Sequence, residues 1–161
     1  MGLLSKLTGS VTPQKKAQDD ALLLHGMMLM AGADGSIGNE EMAQVEGYFM
    51  ALPEFEGKNF QEVYNEAVKI LRKYPSLKDS VKSLGELSSR ILKDKCYRLA
   101  ADIAMSSGDV DEAEDAMLEA VQRVCEVHRV ERINERAKQR GDAVPRHFQQ
   151  KIIGADARQH K

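Results

Sequence analysis

Tryptophan is absent from this 161-residue chain, prolines number four, and no stretch alternates apolar and polar residues between turn signals. Without that period-two pattern a sheet has no strands to build on, whereas the 3.6-residue period of an amphipathic helix recurs almost throughout. The expected fold is all-α. Only two cysteines are present, Cys96 and Cys125. Both sit in apolar helical patterns outside any CxxC spacing, so they read as core thiols of a reducing compartment rather than metal ligands. No apolar run approaches the ~18 residues of a membrane span, and the N-terminus has no long apolar core followed by a cleavage site. A cytoplasmic location is the expectation. Walker A, Rossmann, HExxH and nucleophile-elbow patterns are also missing, which removes the usual sequence basis for phosphate cradling or an activated nucleophile.

What is present is enough apolar residue for one core and a marked asymmetry of charge. The net charge is −2, but from Arg129 onward nine Lys/Arg face four Asp/Glu, giving +5 and leaving −7 for residues 1–128. An acidic body carries a basic tail. The expected organisation is a short N-terminal helix or arm over 1–16, a helical domain over 17–128, and a basic extension over 129–161. Leu3, Leu4 and Leu7 of the arm share one face, suited to packing as a lid or to touching a membrane surface.

Within the domain the first helix is expected from about Gln18 to Ala31, where "ALLLHGMMLM" is apolar on nearly every side, as at the centre of a bundle. Met42, Val45, Phe49 and Leu52 form a one-sided stripe that ends at Pro53. Asn59 and Glu62 have capping-box spacing ahead of a helix that runs toward Pro75. Leu77, Val81, Leu84, Leu87 and Ile91 make the next stripe, and "CYRLAADIAM" is a second nearly all-round apolar helix. A last helix carries Ala113, Ala116, Met117, Ala120, Val121 and Val124 on one face and is expected to continue through "VERINERAKQR".

Sliding the chain by 73 residues lays "DGSIGNEE" over "SGDVDEAE", with Gly35 on Gly108, Ile37 on Val110 and Glu41 on Glu114. Each copy is an apolar helix, an acidic bend and an amphipathic helix. Helix capping accounts for part of the acidity, because Glu40, Glu41, Glu112 and Glu114 occupy first turns and Asp111 with Glu114 has capping-box spacing. Capping explains Asp34 less well, since it precedes the bend. A divalent cation accounts for it better: Asp34 and Glu41 from one bend and Asp109, Asp111 and Glu114 from the other would offer oxygen ligands and lose their mutual repulsion. Calcium, magnesium or manganese suits such a set. Zinc is a further option, although His25, on the apolar helix before the first bend, reads as a packed residue. An EF-hand is excluded by spacing, since Val45 or Ala120 stands where its bidentate Glu belongs.

These two motifs resemble the tellurite-resistance TerB family, whose domain also occurs at the N-terminus of a membrane-anchored DnaJ-like co-chaperone. The family mark is an apolar helix running into Asp-Gly-x-(Ile/Val)-x-x-x-Glu, repeated after some seventy to eighty residues. Asp34 to Glu41 matches in full; the second copy departs only at Ser107, where the family has Asp. The resemblance covers about Asp19 to His128. It implies a bundle of about seven to eight helices in two pseudo-symmetric halves, and a bacterial, non-enzymatic module of tellurite and stress resistance that binds divalent cations. It also implies action through protein partners, some of them at the inner membrane face. Two rival functions carry less weight. Arg129, Arg132, Arg136 and Arg140 form a basic helical face for nucleic acid or anionic lipid, with Lys138 and Arg146 beside it, but Glu131 and Glu135 interrupt it and stacking aromatics are lacking. A metal-dependent hydrolase would need a deep pocket, which carboxylates on surface bends do not provide.

Overall fold

The computed structural model describes residues 12–106 and 109–127. The chain divides into two compact units, 1–126 and 127–161, and the fold below is that of the first. Residues 1–11 of the expected N-terminal arm, Ser107, Gly108 and the basic tail lie outside the described residues, whereas 13–16 belong to the first helix. Among the described residues there are five α-helices: α1 (Pro13–Ala31), α2 (Asn39–Ala51), α3 (Phe60–Leu71), α4 (Arg90–Ser106) and α5 (Glu112–Val124). Two 3₁₀ segments, Pro53–Phe55 and Asp79–Glu86, complete an all-helical bundle of seven elements.

The centre of the bundle is α1, which touches α2, α3, α4, α5 and the second 3₁₀ segment. Every residue from Asp19 to Met30 is buried, so a helix apolar all round is covered all round. Each large side chain removed from water there contributes about 1.5–3 kcal/mol. Three polar groups inside this run are matched. Asp19 accepts from the Ser88 backbone N–H at 2.9 Å, Asp20 is ion-paired with Lys58 and Lys16, and the His25 Nε2 meets Ser80 Oγ at 2.9 Å. Gly26 lets α4 approach, because a Cβ there would stand 2.5 Å from Cys96 Sγ. The helix starts at Pro13, five residues before Gln18, with Thr12 Oγ1 accepting from the Lys15 N–H at 3.2 Å. Thr-Pro is a start signal, but the first turn is exposed and so carries no apolar period.

The other elements bury one side. Val45 and Phe49 of α2 point inward, and Phe49 stacks on Phe55 with ring centres 4.4 Å apart and meets Phe60 edge-on at 5.2 Å. Asn59 caps α3 through the Glu62 N–H at 3.2 Å. The helix closes at Leu71, before the expected Pro75, and turns lead on. Val81, Leu84 and Leu87 are buried at a spacing of three, which suits a 3₁₀ helix, whose side chains eclipse at i and i+3. Ile91 belongs to α4 instead and is 76% exposed, so the stripe expected from Leu77 ends at Leu87. Met117, Leu118 and Val121 form the inner face of α5, whereas Ala116 is exposed. The expected continuation of α5 through residue 140 does not begin: Cys125 is the C-cap, and Glu126 takes a left-handed φ of 55°. Residues 128–140 lie outside the described residues.

Candidate functional site: an acidic cleft between two bends

The first bend runs from Gly32 to Gly38. Gly32 is packed against Ile37 and Leu77 so closely that an added Cβ would stand within 2.8 Å of both. Gly35 has φ +105°, which L side chains rarely adopt. Asp34 Oδ1 then accepts from the Ser36 N–H at 3.1 Å, an Asx-type turn. Gly38 is the N-cap of α2, and its φ of −78° needs no glycine. What it leaves room for is the Glu41 carboxylate, which folds back over its Cα.

The second bend leads into α5 with nearly the same backbone. Its N-cap, Asp111, has φ −76° and ψ 175°, against −78° and 176° at Gly38, the residue 73 places earlier. Here the capping box is complete: Glu114 N–H donates to Asp111 Oδ1 at 2.8 Å, and Asp111 N–H donates to Glu114 Oε2 at 3.0 Å. Glu41 in the first copy holds the position that Glu114 fills in the second. The two N-caps share a backbone conformation, but only the second carries a side-chain cap.

Both bends open on one cleft of about 530 Å³. Asp34, Glu41, Asp109, Asp111 and Glu114, the five carboxylates singled out from the sequence, all line it, over a floor that includes Met30 and Ile103. Glu40 adds a sixth carboxylate, and among the described residues no lysine, arginine, histidine or cysteine joins the lining. Six like charges in one cleft repel, and the N-termini of α2 and α5 offset part of that cost. Among the described residues no three His, Cys, Asp or Glu side chains stand close enough together to hold a metal ion as they are. Asp34 and Glu114 are instead turned toward backbone N–H groups.

A sequence profile for the family described as tellurite resistance protein TerB matches residues 21–137. The chain belongs to the TerB family. No curated protein matches it, and no solved structure does. The TerB match takes in both bends and hence every residue of the cleft.

Two cleft residues of this TerB chain escaped the sequence reading. Gln44 Nε2 donates to Ser106 Oγ, tying α2 to the end of α4 across the cleft. Gln44 lies one turn beyond Glu41 on the same helix face, which is the signal that could have found it. Nothing in the sequence marks Ser106. His25, weighed above against zinc, is in the core, where burial pushes its imidazole down to about 4 despite the opposing hydrogen bond it donates to Ser80.

Proposed function

We propose that this protein is a non-enzymatic, metal-responsive module of tellurite and stress resistance that takes a divalent cation between its two bends and acts through protein partners. One observation supports the reading above others: carboxylates from bends 73 residues apart line a single cleft and are, among the described residues, its only ionisable side chains. An all-oxygen set favours calcium, magnesium or manganese over zinc, which prefers nitrogen or sulfur. Asp34 and Glu41 would hold the cation from the first bend, with Asp109, Asp111 and Glu114 reaching it from the second.

A cation bound between the bends would tie two hairpins together and make that state more rigid, which is how a partner could read it. Among the described residues no helix is long and apolar enough to cross a membrane; the partners of this reading include some at the inner membrane face.

Calorimetric titration of metal-stripped protein with calcium, magnesium, manganese and zinc tests the proposal. Expected is one-site binding of a hard cation, lost in Asp34→Asn and weakened in Glu114→Gln. Wild-type protein that binds none of the four would show the carboxylates to be caps and solvated charge only.

A further inference from the structure

Among the described residues Gln44 is the only amide side chain in the cleft, a neutral group set among carboxylates and three residues past Glu41 on one face of α2. Its backbone is held from next door. Val45 and Phe49 are the two residues of α2 that are buried, so the helix enters the core beside Gln44.

An amide can turn either its NH₂ or its carbonyl edge to a neighbour, and here Ser106 decides which. Ser106 ends α4, where the last carbonyls of a helix lack helical partners. Its hydroxyl donates to one of them, that of Ile103, at 2.7 Å. A hydroxyl has a single proton, so with that proton committed Ser106 Oγ can only accept from across the cleft. Gln44 must therefore present Nε2, and it does. Among the described residues nothing donates to Oε1, the other corner of the amide.

That free oxygen offers what a further carboxylate could not: a donor that adds no negative charge to a cleft where like charges already repel. Gln carbonyls are ordinary ligands of calcium, which gathers roughly six to eight oxygens, whereas magnesium keeps much of its water. Given the cation site proposed above, we infer that Gln44 Oε1 is a neutral ligand of the ion and that Ser106 is the residue that positions it, the pair favouring calcium over magnesium.

Calorimetric titration of metal-stripped, full-length protein with calcium and with magnesium tests the assignment. Gln44→Leu and Ser106→Ala should each weaken calcium binding about tenfold, the lower end of what removing an outer-shell partner costs, and magnesium binding less than about twofold. Ser106→Thr keeps the hydroxyl and should restore calcium affinity. The double variant should bind calcium no more weakly than Gln44→Leu alone, because Ser106 acts through Gln44. In isotope-labelled wild type the Gln44 side-chain carbonyl resonance should move on saturation with calcium and hold still with magnesium, which decides the matter even where a variant fails to fold. Equal losses for the two cations, or losses that add in the double variant, would make the link between α2 and α4 merely structural and overturn the inference. So would wild-type calcium affinity in Gln44→Leu. Wild type that binds neither cation is a different failure: it removes the site itself, and the ligand with it.

Discussion

His25 shows how much a single buried group can set. Its ring is fully buried, and Ser80, which gives its own proton to the Leu77 carbonyl at 2.6 Å, accepts from Nε2. The imidazole is therefore neutral in the folded protein, and Nδ1 has no hydrogen-bond partner among the described residues. Its pKa lies near 4 when folded, against 6.5 for the free side chain. Because the unfolded chain binds the proton first, the group destabilises the fold as pH falls from about 6.5 toward 4, by about 1.4 kcal/mol per pH unit and on the order of 3 kcal/mol in all. Urea unfolding at several pH values should show that slope in wild type and a flatter one in His25→Gln; equal slopes would mean that carboxylates alone carry the acid response. At Gly35 the constraint is the backbone alone, since nothing lies within 4 Å of an added Cβ. Gly35→Ala should cost about 1–3 kcal/mol, read as a lower urea midpoint with unchanged slope. Gly35 was legible in the sequence because Asp-Gly marks a turn locally. Gly26 was not, since its importance depends on where Cys96 arrives from another helix.

Among the elements, the starts of α3 and α5 matched the sequence, whereas the start of α1 and the second 3₁₀ segment did not. Asn59 and Asp111 announce α3 and α5, whose starts lie where the spacing put them. The 3₁₀ segment shares its i, i+3 apolar spacing with an α-helix, so periodicity alone could not separate them. The end of α5 likewise hides inside a pattern that reads on into the basic tail. The capping box supplies a prediction at this scale. Asp111→Ala should lower stability by about 1 kcal/mol, because it removes the acceptor for the Glu114 N–H. Glu114→Gln keeps an oxygen to accept from the Asp111 N–H and should stay within about 0.5 kcal/mol of wild type. Chemical denaturation without metal checks both, and the second result makes Glu114→Gln a usable probe of the cleft.

At the scale of the whole molecule, the two hairpins are near-copies whose bends face one cleft, and this was half legible. The 73-residue repeat named the carboxylates. Their meeting depended on how α1 and α4 pack, which no spacing contains. That arrangement separates one shared cation from two independent ones. If a single ion is held from both sides, Glu41→Gln and Glu114→Gln each remove most of the stabilisation that metal confers, about 2.7 kcal/mol at a hundredfold excess over Kd. The double variant should then lose little more than either single one. Two separate ions would instead give losses that add within about 0.5 kcal/mol, as for independent sites. Without metal, each variant relieves repulsion among six carboxylates, so any coupling between them should be small and of opposite sign. Unfolding free energies of the four proteins, with and without calcium, complete the cycle; additivity in both conditions would leave each bend a site of its own and remove the reason for facing them across one cleft.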